Sequence, residues 1–243
     1  MNRNRLERAL GHPAAAGWIS FDLSEPARTA LLIVDMQNFG CRRDMGLGRR
    51  AQPQSEYWFS RQDQVVVPNI QKLLAYFRSS GMRVTYVCVG PLLPDASDMY
   101  ERRVRRDKER LAETGSDHFW SVGSIEHQVI DELKPAPGEM IFNKNCTSAF
   151  NSTNIDQVLR NMGVQYLVIT GMATNACVET TARDAADRGY DCVLVDDGCL
   201  AGDQASHDGT LRNFASLFGR VSKTDQVIEE LQKARVSAAA PTS

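Results

Sequence analysis

Short apolar runs alternate with longer amphipathic segments along most of the chain. The short runs are rich in β-branched residues and apolar at nearly every position; they cover 30–35, 83–89, 140–143, 166–170 and 191–197. In the longer segments, apolar residues recur every three or four positions, as on one face of a helix; these segments are 65–81, 124–133, 152–163, 174–189 and 224–234. This alternation predicts a doubly wound α/β fold, with a mainly parallel sheet and helices on both faces.

The domain organisation follows from the same pattern. No internal repeat or linker divides the 243 residues, so we expect one domain over 1–243, with mobile tails at 1–20 and 236–243. The segment 41–64 interrupts the alternation and carries several arginines and an aromatic trio. Long segments of this kind are usually lids or partner contacts, and we interpret it in that way.

Composition excludes several classes of protein. The net charge of −2 gives no basic field for nucleic acid, and we interpret the basic stretch 102–110 as a solvated helix face or loop rather than a phosphate-binding patch. No apolar run is long enough to span a membrane, and the N-terminus lacks the apolar core of a signal peptide. The six cysteines are scattered without a Cys-x-x-Cys pair, which is typical of reduced thiols. We therefore expect a cytoplasmic protein that binds neither nucleic acid nor membrane.

Three reactive side chains follow three different predicted strands. Asp35 ends the first strand, Lys144 follows the third, and Cys177 lies just past the fourth, at the start of a predicted helix. Ligands of open α/β sheets bind outside the carboxyl ends of the strands, so these residues are expected to face one crevice. A carboxylate can accept a thiol proton, an ammonium stabilises anions, and a helix N-terminus favours a thiolate. Taken one at a time, Asp35 could cap a turn, Lys144 could be a surface lysine, and Cys177 could be a packing residue.

Three motifs make the chain similar to a known family. They are ALLIVDMQN at 30–38, NKNCTSAFNST at 143–153 and VITGMATNACVETTARDAADRGYDCVLVDDGCLA at 168–201. The chain resembles the isochorismatase-like cysteine hydrolase superfamily over roughly 25–233; this superfamily includes nicotinamidases, N-carbamoylsarcosine amidases, ureidoacrylate amidohydrolases and biuret hydrolases. The resemblance implies a six-stranded parallel sheet, a catalytic triad at Asp35, Lys144 and Cys177, and a cis peptide bond before Ala173. It also implies an oxyanion hole formed by the backbone N–H groups of Ala173 and Cys177.

The branches of that superfamily imply different substrates. Isochorismatases cleave a vinyl ether without a nucleophilic cysteine, so Cys177 argues against that reaction. Nicotinamidases resemble one another in an Asp-x-His metal site, whereas the matching stretch 88–99 has no histidine. We therefore expect no metal and no other cofactor, and hydrolysis of a small linear amide, carbamoyl or ureido compound through a thioester. A nicotinamidase-like aryl carboxamide hydrolase and a non-catalytic ligand-binding α/β module are the alternatives.

Candidate substrate contacts flank the motifs. Gln37 and Asn175 could supply polar groups, although each is as well suited to supporting its loop, and Phe39 and Phe150 could form apolar walls or belong to the core. The arginine pairs at 42–43 and 49–50 could meet a substrate carboxylate, but solvated arginines are the default. Members of the superfamily are commonly dimers or tetramers, so we expect a homo-oligomer.

Overall fold

The computed structural model describes residues 19–50, 55–116 and 118–239, and places six strands among them. The strands are β1 Thr29–Val34, β2 Arg83–Val89, β3 Met140–Lys144, β4 Tyr166–Met172, β5 Asp191–Leu200 and β6 Arg220–Ser222. The α-helices are α1 Asn38–Cys41, α2 Ser55–Arg61, α3 Val67–Ser79, α4 Glu101–Ala112, α5 Ala149–Ser152, α6 Ile155–Asn161, α7 Glu179–Asp187, α8 Gln204–Leu217 and α9 Thr224–Ala239. Two π-helical segments, Gln62–Val66 and Thr174–Val178, lead into α3 and α7. Of the tails predicted to be mobile, residues 1–18 and 240–243 lie outside the described residues, whereas 236–239 form the end of α9.

All neighbouring strands pair in parallel, in the order β3-β2-β1-β4-β5-β6. The order reverses between β1 and β4, where the chain crosses from one half of the sheet to the other. A crevice forms at the carboxyl ends of the strands at such a point, because the connections leave in opposite directions. The predicted doubly wound α/β fold is confirmed, and the position of its ligand crevice follows from the strand order.

The core consists of two apolar layers, one on each face of the sheet. In β1, Leu31 and Ile33 pack into one layer, while Leu32 and Val34 pack into the other. Every residue of β1 and β4 is buried. This two-sided burial explains why the strands are apolar nearly throughout instead of alternating.

The predicted helix over 124–133 is wrong. The segment forms turns and a 3₁₀ helix at Asp131–Leu133, because its carbonyl groups are used by another part of the chain. The backbone N–H of Asn38 donates to Gln128 (2.9 Å), and that of Phe39 donates to Glu126 (2.9 Å). Carbonyls bonded in this way are not free for an α-helix, even though the apolar spacing is helical.

Much of the insertion 41–64 is helical rather than irregular loop. Helix α2 Ser55–Arg61 runs into the π-helical Gln62–Val66, and a 3₁₀ turn forms at Gly46–Arg49. Strand β6 was missed from the sequence because it is only three residues long. No helix among the described residues is long and apolar enough to cross a membrane.

Candidate active site

Asp35 follows β1 directly and is almost fully buried, with 2% of its surface exposed. Its backbone N–H donates to the carbonyl of Val87 (2.8 Å), which extends the sheet by one residue. Its φ of +54° lies in the left-handed region, which non-glycine residues rarely adopt and where Asp is tolerated better than most. Unusual backbone angles of this kind concentrate at functional sites, and this one turns the chain sharply at the end of the strand.

Lys144 ends β3 and is completely buried. Its ammonium donates to Asp35 Oδ2 (2.9 Å), to Cys177 Sγ (3.2 Å) and to the carbonyl of Cys146 (3.2 Å). An ammonium has three protons, and three acceptors meet them. Because β2 and β1 lie between β3 and β4, the long lysine side chain joins groups that come from well-separated strands.

Cys177 lies in the π-helical segment Thr174–Val178, immediately after β4. Gly171 has a φ of +114°, and a Cβ at that position would collide with the backbone of Val34, so only glycine fits at this point of β4. The Met172–Ala173 bond is cis, as the resemblance implies. The amide of Cys177 belongs to the first turn of the helix, where N–H groups lack partners within the helix.

Thr174 has the hydroxyl of a typical helix cap, but it does not cap the segment that carries Cys177. Ala173 occupies the N-cap position without a side-chain hydrogen bond, and Thr174 Oγ1 instead bonds to Nδ1 of His207 (2.9 Å). Nε2 of His207 is paired with Asp196 Oδ1 (2.9 Å) and also contacts Arg61 (3.0 Å). This buried network ties the cysteine-bearing segment to α8. This network could not be predicted from local patterns, because its members come from four separate segments.

The environment of Cys177 favours a neutral thiol, contrary to the thiolate expected at a helix N-terminus. Burial, followed by the negative charge of Asp35, raises the pKa of Cys177 to about 11, against opposition from Lys144 and Arg103. For Lys144, burial opposes the charge, but attraction by Asp35 and Cys177 outweighs it and leaves the pKa above its usual value. Both effects favour a resting site with a neutral thiol and a charged ammonium.

Only one of the two carboxylate oxygens of Asp35 accepts a hydrogen bond from a described residue. Oδ2 accepts from Lys144, whereas Oδ1 is buried without a hydrogen-bond partner among the described residues. Buried polar atoms are nearly always paired, so an unpaired carboxylate oxygen calls for an explanation. The charge of Asp35 helps to raise the pKa of Cys177, so the unpaired Oδ1 is a candidate acceptor for the thiol proton.

A cavity of about 450 Å³ opens onto Asp35 and Cys177. This is the size of pocket that holds a small ligand. Its lining combines reactive, apolar and basic side chains with several backbone groups; they are Asp35, Phe39, Gly40, Leu47, Gly48, Arg50, Ser55, Trp58, Phe59, Val89, Arg103, Arg106, Asp107, Arg110, Thr147, Met172, Ala173, Asn175, Ala176, Cys177 and Gly202.

Only two of the four predicted substrate-binding residues line this cavity. Phe39 is stacked on Trp120 with the ring centroids 4.2 Å apart, and Asn175 belongs to the same π-helical segment as Cys177. Gln37 is completely buried and its side-chain amide joins the backbone of Val89 to that of His127. Phe150 packs against Tyr190 in the core. Gln37 and Phe150 therefore support the site without facing the cavity.

The arginines missed by sequence reasoning belong to α4. Arg103, Arg106 and Arg110 line the cavity, in the stretch interpreted as a solvated helix face or loop. Of the arginine pairs considered from the sequence, only Arg50 reaches the lining. The i, i+3, i+7 spacing of the three α4 arginines was a signal that one helix face is basic, but charged residues on the other faces concealed it.

The model of the isochorismatase domain matches residues 29–226. The chain belongs to the isochorismatase family. The match covers all of β1 to β5 and continues through β6, so it includes every segment that contributes to the site. The family predicted from the three motifs is confirmed.

Solved structures agree with this assignment. A cysteine hydrolase from Pseudomonas syringae pv. phaseolicola is 27% identical, with a TM-score of 0.73 over 89% of this chain and 97% of that one. An isochorismatase family protein from Desulfovibrio vulgaris is 26% identical, with a TM-score of 0.68 over 84% and 98%. An N-carbamoylsarcosine amidase from Thermoplasma acidophilum is 28% identical, with a TM-score of 0.61 over 82% and 97%.

The described side chains include no group of three or more His, Cys, Asp or Glu residues arranged to hold a metal ion. His127, the histidine nearest in sequence to the third strand, is instead bonded through Nε2 to Asn143 Oδ1 (2.7 Å). Burial lowers the pKa of His127, which favours a neutral ring. The ring of His127 packs against Gly90, where a Cβ would collide with it, and so supports the loop at that point.

Proposed function

We propose that this protein is a cysteine-dependent amidohydrolase that cleaves a C–N bond of a small linear amide, carbamoyl or ureido compound through a thioester. The observation that carries the proposal is the buried ammonium of Lys144, which contacts both Asp35 and Cys177 at the floor of the cavity. Membership of the isochorismatase family and the 28% identity to an N-carbamoylsarcosine amidase support the reaction class.

Acylation begins with proton transfer from Cys177 to Asp35. A thiol with a pKa of about 11 is a poor nucleophile at neutral pH, so attack on an amide requires a base in contact with it. The unpaired Oδ1 of Asp35 takes the proton as sulfur forms a bond to the substrate carbonyl carbon. Lys144 remains charged and compensates the anion throughout the transfer.

The tetrahedral intermediate is stabilised by the N–H groups of Ala173 and Cys177. Both residues line the cavity and lie at the start of the helix, where backbone dipoles favour negative charge. Donors of this kind are typically worth about 3–4 kcal/mol each in the transition state. Asp35 then gives its proton to the nitrogen, the C–N bond breaks, and ammonia or an amine leaves.

Deacylation uses the same carboxylate in reverse. Asp35 removes a proton from water, the oxygen attacks the thioester carbonyl, and the C–S bond breaks with return of the proton to sulfur. The carboxylic acid is released, or a carbamic acid when the substrate is a ureide. Because one carboxylate serves both half-reactions, the cycle needs no histidine and no cofactor.

The decisive experiment is an ammonia-release screen over ureido acids, biuret-like ureides, carbamoyl amino acids and aryl carboxamides. We expect turnover of a linear compound, its loss in Cys177→Ala, and a mass increase on Cys177 when the reaction is quenched early. Full turnover by Cys177→Ala would refute the mechanism, and preference for the aryl carboxamides would favour the nicotinamidase-like alternative. Binding without ammonia release across the panel would support the non-catalytic module.

The homo-oligomer expected from the sequence is also a proposal. Edge strand β3 leaves Ile141 54% exposed, and Ile125 is 59% exposed. Exposed apolar side chains on an edge strand favour association. Light scattering after gel filtration is expected to give the mass of a dimer or tetramer; a monomer of 27.0 kDa would contradict this.

A further inference from the structure

One face of α4 forms a basic wall of the cavity. Arg103, Arg106 and Arg110 project from successive turns of Glu101–Ala112, and all three line the cavity that holds Cys177. Residues at these spacings share one side of a helix. The catalytic scheme does not use any of them, so their place in the cavity wall needs another explanation.

The wall carries more positive than negative charge. Asp107, 1% exposed, is the acidic partner of all three arginines, at 2.7 Å from Arg103, 2.8 Å from Arg106 and 4.0 Å from Arg110. One carboxylate therefore faces three guanidinium groups. Burial and repulsion by Arg106, and also by Arg50 and Arg103, lower the pKa of Arg110. An anion bound in the cavity would relieve that repulsion.

Arg103 is the arginine best placed to bind it. Its side chain is only 8% exposed, and Nε donates to Asp107 Oδ2 (2.7 Å), which fixes the guanidinium. This bond occupies the Nε edge, so a planar acid can still approach the fork of the two terminal nitrogens. Arg103 lines the same cavity as Cys177 and Asp35, and its charge acts on both of them.

The rest of the lining limits the shape of the ligand. Leu47, Trp58 and Phe59 of the insertion contribute apolar surface to the same cavity. A molecule bound in this cavity is therefore surrounded in part by apolar side chains. A cavity of about 450 Å³ holds a short aliphatic spacer between the reactive carbonyl and an anionic group.

We infer that the substrate carries a carboxylate, bound by Arg103 while its amide, carbamoyl or ureido carbonyl meets Cys177. The preferred class is then a ureido or carbamoyl carboxylic acid rather than a neutral ureide. This inference rests on the proposed function for the identity of the reacting group, but it concerns binding and can be measured without turnover.

The test uses ω-ureido carboxylates of increasing chain length, each paired with its neutral primary amide. In the wild type, kcat/KM is expected to favour the carboxylate of a pair. Arg103→Met should reduce that preference about 10- to 100-fold, mainly through KM, because a charge-assisted pair is lost while the neutral partner is little affected. Arg103→Lys should restore only part of it, because lysine lacks the planar fork.

Arg105→Met is the matched control. It removes the same charge from the same helix, at an exposed position outside the cavity lining. Its preference for carboxylates should equal that of the wild type. Equal losses for charged and neutral substrates in Arg103→Met would show that the arginine only braces the helix, and would overturn the inference.

Binding measurements separate this inference from the proposed reaction. Calorimetry on Cys177→Ala should give tighter binding of the carboxylate than of its neutral partner, with the difference lost in Cys177→Ala/Arg103→Met. That result without ammonia release by the wild type would refute the proposed reaction but keep the anion site. Turnover of neutral ureides with no preference for carboxylates in binding would keep the reaction and refute the anion site.

Discussion

Two buried ion pairs border the cavity, and they differ in whether both oxygens of the carboxylate accept hydrogen bonds. Asp35 with Lys144 and Asp107 with Arg103 have similar separations, 2.9 and 2.7 Å, and both are nearly inaccessible to solvent. In Asp107, Oδ2 accepts from Arg103 and Oδ1 from Arg106. In Asp35, Oδ1 has no partner among the described residues. A carboxylate with both oxygens occupied holds a structure in place, whereas one with a vacant acceptor beside a thiol can take a proton.

The largest expected difference is in turnover. Asp35→Asn removes the proposed proton acceptor but keeps the shape of the side chain, so kcat should fall by about 10²- to 10⁴-fold. Asp107→Asn should leave kcat within about tenfold and act mainly on KM for carboxylate substrates, because it loosens Arg103. Steady-state kinetics on both variants measure the contrast. Equal effects on kcat would mean that the vacant oxygen of Asp35 has no special role.

The second largest expected difference is in stability, between the replacement of Lys144 and the replacement of Arg103. Lys144→Met leaves Asp35 buried without its partner, and we expect a loss of about 3–5 kcal/mol in the free energy of unfolding. Arg103→Met should lose less, because Arg106 still donates to Asp107. Urea denaturation followed by circular dichroism measures both values. A larger loss for Arg103→Met would reverse the comparison.

Asp35→Asn should make the alkylation of Cys177 faster, although the same variant is expected to make turnover slower. The negative charge of Asp35 helps to raise the thiol pKa to about 11, so Asp35→Asn should lower that pKa and increase the thiolate fraction at pH 8. Each unit of decrease raises the thiolate fraction about tenfold and should speed the reaction with iodoacetamide by somewhat less, because a less basic thiolate is a weaker nucleophile. Peptide mass spectrometry separates Cys177 from the half-buried Cys146. Slower alkylation in Asp35→Asn would contradict the coupling between the carboxylate and the thiol.

The smallest expected effect is on alkaline stability. The folded-state pKa of Cys177 lies above the ordinary value of 9.0, so its contribution to stability is complete below pH 9 and is lost as the pH rises through about 11. The pair Arg103–Asp107 has no corresponding loss in this window, since the pKa of Arg103 is raised further above it. Urea midpoints measured from pH 8 to 11 should decline less steeply in Cys177→Ala than in the wild type. Parallel curves would show that the thiol does not contribute.

The two ion pairs also differ in whether their positions could be predicted from the sequence. Asp35, Lys144 and Cys177 were predictable because they follow apolar runs, and the carboxyl ends of parallel strands meet at one edge. The basic face of α4 that lines the cavity could not be predicted, because a helix with charges on every side does not reveal which face the fold will cover. Burial of Arg103 is decided by tertiary packing, not by local pattern.

Local patterns also failed where distant backbone groups compete. The segment 124–133 has helical spacing, yet its carbonyls accept hydrogen bonds from residues 38 and 39. Gln37 lies beside the motif aspartate, but its amide closes a gap between two loops instead of facing the cavity. Proximity to a motif in sequence therefore predicted the neighbourhood of these side chains but not the direction in which they point.

The strand order has a consequence for biosynthesis. Asp35 and Lys144 are both translated before β4, so a nascent chain can form the ion pair while the cysteine is still within or near the ribosome. Cys177 reaches the other two only when β4 pairs with β1 at the centre of the sheet. During synthesis Cys177 is thus the last of the three side chains to join the cluster, after the central strands β1 and β4 have paired.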